Sequence, residues 1–251
     1  MNQSNKNKPL NRHQEEILNN QACWNKKALL QNIYADYYNL INGYIKPEIP
    51  GHIIEIGSGI GVSKKFINRI ITTDLFPNNW IDVVCSAYNI PFKSQSVSHI
   101  IAFDVFHHLQ YPVAFLKEAF KVLIPGGRLI IFEPYISLTG LLAYGLFHPE
   151  PIGWKAKINI SDNPINQSNY YAAQGNATRL FFKNEMPELL NTWKSIALLR
   201  FAGFSYLLSG GYSKPSFYPI FLYPLLKHCD AFLSKFPKIF AVRCLVVLEK
   251  V

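Results

Sequence analysis

The sequence predicts an α/β fold, a doubly wound parallel sheet with helices on both faces. Three observations carry this. From residue 52 onward short apolar stretches alternate with helical ones. The apolar stretches run as unbroken Ile/Val segments rather than alternating with polar residues, as strands buried on both faces do. A glycine-rich turn, "EIGSGIG" (55–61), follows the first of them at the place where such sheets bind ligands.

The elements follow in order. Residues 1–10 are polar and read as irregular, and 12–45 place Leu, Ile and Tyr at helical spacing before Gly43 and the Pro47/Pro50 pair, an N-terminal helical cap over 1–47. Strands are expected at 52–56, 70–75, 81–87, 98–105 and 127–134, with helices at 62–69 and 111–123. After Pro134 the rhythm breaks into a segment rich in Gly, Pro, Asn and aromatics, an insertion over 135–180 on the fifth strand. The part from 181 to 251 holds a proline-broken aromatic helix (215–236) and a last strand, "FAVRCLVVLEK" (240–250), which completes the sheet. The whole chain, 1–251, reads as one domain whose core spans 50–134.

Composition narrows the function classes. With 49% apolar and 16% charged residues the chain can bury a sizeable core. The longest apolar stretches are too short, or too rich in proline, for the roughly 20 residues of a membrane span. The N-terminus lacks the apolar core of a secretory signal, and Cys23, Cys85, Cys229 and Cys244 show no metal spacing, so a cytoplasmic protein without bound metal is expected. The net charge of +9 is uneven: residues 135–251 hold 12 Lys+Arg against 6 Asp+Glu. This excess suits an acidic substrate, a peripheral contact with an anionic membrane surface, or simple solvation, while no basic run with interleaved aromatics marks a nucleic-acid site.

Two ligands compete for the glycine loop. A dinucleotide fingerprint wants GxGxxG, but Gly57, Gly59 and Gly61 read GxGxG, with Val62 where the third glycine belongs. Glu55, just before the loop, would repel a pyrophosphate and attract a cationic ligand such as the ammonium and sulfonium of S-adenosylmethionine. Asp74, ending the second strand, can accept from both hydroxyls of a ribose.

The series "EIGSGIG", "TTDL", "CSAYNIPF", "FDVFHHL" and "EAFKVLIPGGRLIIFEP" resembles the class I S-adenosylmethionine-dependent methyltransferases, in the small-molecule branch called methyltransferase type 11, over about residues 50–134. The resemblance implies a Rossmann-like, seven-stranded sheet with an antiparallel last strand. It implies that Glu55, Gly57, Ser58 and Gly59 hold the methionine part of the cofactor and that Asp74 and Leu75 hold the ribose and the adenine edge. Ser86, Ala87 and Tyr88 would border the adenine, and Phe103 would lie under the cofactor. The chain departs from the family at Ser86 and Ser98, where acids are usual, which weakens the expected grip on adenine.

In related O-methyltransferases a histidine after the fourth strand is a general base supported by an acid ending the fifth, and His107 and Glu133 fall at those places. A neutral imidazole would take the acceptor's proton while the carboxylate fixes its tautomer, unless the histidine pair merely packs and caps. Metal binding by His107 and His108 is not expected, because adjacent residues on an element point apart. In the insertion, an apolar stretch would bury a hydrophobic acceptor, while His148 and Glu150, with His108, would orient its reacting end or else pin a loop. Two functions stay open. One is methyl transfer to O or N of a small or lipid-linked metabolite. The other is a cofactor-binding regulatory protein without turnover, or one acting on a protein partner.

Overall fold

The computed structural model describes residues 8–160 and 171–251. Seven strands form one sheet in the order β3-β2-β1-β4-β5-β7-β6. They are β1 (His52–Ile56), β2 (Ile70–Asp74), β3 (Val83–Val84), β4 (Val97–Phe103), β5 (Leu123–Pro134), β6 (Trp193–Phe201) and β7 (Arg243–Lys250). All pairs are parallel except those of β7, which runs antiparallel between β5 and β6. The expected sheet and its antiparallel last strand are both present. The seventh strand, which the sequence did not locate, is β6.

Two apolar layers sandwich the sheet. On one face α3 (Pro112–Val122) packs Phe115, Leu116 and Ala119 against Ile54, Ile100 and Ile131. On the other lie α1 (Lys8–Lys26) and α2 (Ala28–Asn42), whose Trp24, Leu30, Tyr34, Tyr38 and Ile41 meet Ile101, Phe103 and Phe132. Leu30, Ile33, Tyr34, Tyr38 and Ile41 recur at three- and four-residue intervals, so α2 buries one continuous stripe. The remaining helices are α4 (Leu138–Leu146), α5 (Phe204–Ser209), α6 (Tyr223–Leu233) and the short α7 (Pro237–Phe240).

Several boundaries differ from those read in the sequence. The helical cap is two helices broken at Lys27, and residues 8–10 are helical rather than irregular. The helix expected at 62–69 is one 3-10 turn, Val62–Lys65, entered from Gly61 in the left-handed region. A thirteen-residue connection with three glycines has too few helix formers to hold a longer helix, and α1 and α2 cover that face instead. β3 shrinks to two residues, because Asp82 turns back to accept from the Thr72 backbone N–H and hydroxyl. The 215–236 helix is reduced to α6, preceded by the turn Ile220–Leu222. Residues 161–170 of the expected insertion lie outside the described residues.

Candidate active site

The carboxyl ends of β1, β2, β4 and β5 converge, and each delivers part of the site. After β1 the chain passes through Gly57, Gly59 and Gly61 with φ of 66°, 53° and 63°. A Cβ on Gly57 would stand 2.4 Å from Val105, and one on Gly61 2.5 Å from the Trp80 carbonyl oxygen, so the turn requires glycine for space as well as for φ. Asp74, at the end of β2, braces the loop: its Oδ2 accepts from the Gly59 N–H at 2.8 Å and its Oδ1 from the Leu75 N–H at 2.7 Å. Ser58 Oγ donates to the Glu55 carbonyl and accepts from the Thr73 N–H, closing the turn onto β2.

Glu55 is placed differently from expectation. Its side chain is buried and both oxygens are taken, one by the Tyr38 hydroxyl at 2.7 Å and the other by the Ser63 hydroxyl at 2.6 Å. Burial raises its pKa against these hydrogen bonds. Glu55 therefore ties α2 to the loop, each of its oxygens already accepting one hydrogen bond inside the buried cluster. Phe103 is also enclosed, stacked between Tyr34, Tyr38 and Phe132 at ring distances of 5.2, 5.1 and 4.7 Å. His13 of α1 lies 3.6 Å from Asp74 Oδ1, and Ile17 Cδ1 lies 3.7 Å from where a Cβ of Gly59 would be. Ser86 accepts from the Tyr88 N–H, the Tyr88 hydroxyl accepts from the Tyr111 N–H, and Ala87 and Tyr88 pack on the α3 side of the sheet.

Beyond β4 the chain turns at Asp104, whose φ of 53° is a strained region that Asp tolerates better than most residues. The Phe106–His108 turn presents two imidazoles. His107 Nδ1 lies 2.6 Å from Glu133 Oε2 at the end of β5, while Glu133 Oε1 accepts from the Phe106 N–H at 2.6 Å. His107 Nε2 faces Glu150 Oε2 at 3.5 Å. Burial opposes a charge on His107, but the two carboxylates outweigh it, raising the group to about 10. The shift runs against the neutral imidazole expected from the sequence, because the two carboxylates favour the charged ring. His108, half-buried beside His107, is pushed down to about 4 by desolvation and by that neighbour; its Nδ1 donates to the Tyr171 carbonyl and its Nε2 lies 3.7 Å from Glu150 Oε1. His148 accepts the Glu150 N–H at its Nδ1, and Gln174 donates to the Glu150 carboxylate.

The insertion therefore does reach the histidine pair. His107 and His108 do not point apart as expected, since the 3-10 turn brings their rings to 4.0 Å and their ligating atoms, with a Glu150 oxygen, to within 4.8 Å of one another. Glu133 and Glu150 both favour the charged form of His107 in this cluster.

Sequence reasoning missed a buried pair behind the site. Arg243 of β7 binds Asp104 through two N···O contacts of 2.8 Å, and its guanidinium lies 4.6 Å from the Phe132 ring centre and 5.1 Å from that of Tyr206. A lone arginine inside the apolar run "AVRCLVVL" was the available signal.

Residues 54–131 match the family described as "Methyltransferase domain". The match marks this segment, about a third of the chain, as similar to a methyltransferase domain. Solved structures of low identity share its fold. Geranyl diphosphate C-methyltransferase from Streptomyces coelicolor, solved with Mg2+, geranyl diphosphate and S-adenosyl-L-homocysteine, aligns with a TM-score of 0.51 at 12% identity, covering 92% of this chain and 84% of that one. A SAM-dependent methyltransferase from Archaeoglobus fulgidus aligns at 0.53 and 11%, covering 88% and 94%. The human protein described as "Probable tRNA methyltransferase 9B" is 26% identical over 140 residues, 46% of this chain. The chain spans only 31% of that relative's length. For the methyltransferase cofactor, the glycine loop and Asp74 fit: the loop is open at Gly59 apart from Ile17, and Asp74 stands at the strand end with oxygens already oriented by backbone donors.

Proposed function

We propose that the protein transfers the methyl group of S-adenosylmethionine to an oxygen or nitrogen of a small, hydrophobic or lipid-linked acceptor bound beside His107, His108 and Glu150. The observation that carries the reading is the line Glu133–His107–Glu150 at the carboxyl end of β4 and β5, beside the glycine loop. The cofactor supplies an activated methyl group on a positively charged sulfur. Gly57, Ser58 and Gly59 with Asp74 and Leu75 would hold it. An acceptor O–H or N–H that took this methyl group would have to give up one proton, and the chain's own residues would receive it.

That proton has a defined destination. With His107 protonated, the three groups carry a net charge of about −1, which favours a proton-bearing or cationic acceptor. Glu150, 16% exposed at the edge of the cluster, receives the proton, while the His107 imidazolium, fixed by Glu133, holds the Glu150 carboxylate in place. His148 and Gln174 support Glu150 through its backbone N–H and its carboxylate. His107 and Glu133 thus orient and charge the site, and Glu150 is the proton acceptor.

A second reading has its own support. Similarity to a tRNA methyltransferase, together with the positive excess after residue 135, favours a nucleic-acid acceptor. One experiment separates them: methyl-labelled cofactor is incubated with the protein and, separately, with an aqueous metabolite fraction, a lipid extract and bulk tRNA. Label in a small or lipid-soluble product, abolished by Glu150→Gln, supports the first reading. Label in tRNA alone replaces it with the second.

A further inference from the structure

The insertion was expected to turn its apolar residues toward an acceptor. Instead, α4 turns them outward. Leu138, Leu141, Leu142 and Leu146 fall at three- and four-residue spacing on one stripe and are 49–71% exposed, while Gly140 and Tyr144 on the opposite face are buried. A second stripe runs along α6 and its flanks, where Phe221, Leu225, Phe232 and Phe236 recur at helical spacing with 50–75% exposure. Both helices reverse the ordinary surface pattern, in which the apolar stripe is the covered one.

The second stripe leads along the chain straight into α7, which meets α4. α4 packs beside α7, the Ser137 hydroxyl donates to the Ile239 carbonyl at 2.9 Å, and Lys214 Nζ reaches the Phe147 carbonyl at 3.2 Å. α4 leaves β5 at Pro134 and α7 enters β7 at Arg243, residues that pair directly, so the face stands at the sheet end that holds the candidate site. An exposed apolar surface of this extent on an otherwise ordinary domain marks an interaction site.

Charge selects the occupant. Between Leu189 and Leu248 the sole acidic residue is Asp230, which is buried and accepts from the Phe204 and Ser205 N–H groups and the Ser205 hydroxyl. Between Pro134 and Pro149 there is no acid at all. The exposed charges around the stripes are Lys214, Lys227, Lys235 and Lys238, of which Lys227 is paired with Asp36 of α2. Apolar side chains inside a cationic fringe match the boundary between anionic headgroups and acyl chains, where the rings and leucines lie below and the lysines stay at the charged level. A second copy of the same face would set lysines against lysines. No helix among the described residues is long and apolar enough to cross a membrane, so the contact is with the surface.

We propose that α4, α6 and α7 form a docking face for an anionic lipid surface. The inference rests on the outward stripes and their charge, and goes beyond the methyl-transfer reading without needing it. The test uses the full chain, co-sedimented with vesicles of phosphatidylcholine alone or mixed with phosphatidylglycerol. Binding to the mixed vesicles is expected, weakening about fivefold for each lysine removed from the face. Lys235→Glu/Lys238→Glu should therefore bind at least about 25-fold more weakly, and Leu142→Glu/Phe221→Glu should lose binding, each with an unchanged melting temperature. Sedimentation does not depend on methyl transfer, so failure of the proposed chemistry leaves the result intact. The proposal is overturned if the wild type binds neither vesicle, if binding ignores phosphatidylglycerol, or if ultracentrifugation shows a dimer that the same substitutions split while vesicle binding is absent.

Discussion

Glu133→Gln removes a charge from the site while keeping its shape, and its effect can be worked out from the structure. In the wild type Glu133 Oε2 holds His107 Nδ1 at 2.6 Å with both side chains buried. The substituted amide can still accept from the Phe106 N–H and can donate to His107 Nδ1, so the ring keeps a hydrogen bond but in its neutral Nε2–H tautomer. With the largest raising influence gone, burial prevails, and the histidine should titrate below its ordinary 6.5 instead of near 10. The sign for stability follows. Because the folded value lies above the unfolded one, the wild type holds this stabilisation in full below pH 6.5 and loses it as pH rises toward about 10. In that window the folded state binds the extra proton, so the unfolding free energy should fall with a slope approaching about 1.4 kcal/mol per pH unit, for a total on the order of a few kcal/mol. Urea unfolding from pH 6 to pH 10, with the ring followed by NMR, reads both quantities. The variant should be less stable near neutrality and should lose this slope. Equal slopes in the two proteins, or a His107 that titrates near 6.5 in the wild type, would refute the charged carboxylate–imidazolium–carboxylate arrangement.

Three further outcomes are expected. Asp104→Ala leaves the Arg243 charge buried without its partner and should cost roughly 3–5 kcal/mol, a fall of roughly 6–20 °C in thermal unfolding, much of it recovered by adding Arg243→Met. Asp74→Ala should weaken S-adenosylhomocysteine binding by roughly 1.5–3 kcal/mol in calorimetry; an unchanged dissociation constant in the folded variant would remove Asp74 from the cofactor site. Glu150→Gln should lower turnover by roughly 10²- to 10⁴-fold with cofactor affinity nearly intact, and His107→Ala should lower it less; turnover within a few-fold of wild type in Glu150→Gln would leave the chemistry to proximity alone.

Much of the fold was legible because it depends on local pattern. Unbroken runs such as "SHIIAFDV" and "GRLIIFEP" can be satisfied only by a sheet covered on both faces, and "EIGSGIG" must turn where Cβ atoms would collide. β6 was less legible: "WKSIALLRF" lies at the sheet edge with a register shift between Ser195 and Ala197, and its exposed and half-buried positions follow no strict alternation, a weaker signal than a central strand. The site was legible in part. Strand ends placed His107 and Glu133 together, because β4 and β5 are adjacent and in register. Which oxygens Glu55 would offer, and the charge on His107, depend on Tyr38 and Glu150, which lie 17 residues before the one and 43 after the other and meet them only in three dimensions. The apolar stretch that forms α4 was legible as apolar but not in which way it faces, because the direction is set by packing against α7 and β7.

The packing of α1 and α2 over the glycine loop sets the protein's own N-terminal segment against any ligand that the loop would hold. Ile17 stands over Gly59, His13 beside Asp74, and Tyr34 and Tyr38 on Phe103. A cofactor held by Gly59, Asp74 and Phe103 must displace these side chains, so its apparent affinity is its intrinsic affinity multiplied by the fraction of molecules in which the helices have moved aside. Each 1.4 kcal/mol favouring the closed arrangement makes the cofactor bind about tenfold more weakly. By the same linkage, anything that draws the two helices away from the sheet loads the cofactor, and anything that holds them down expels it.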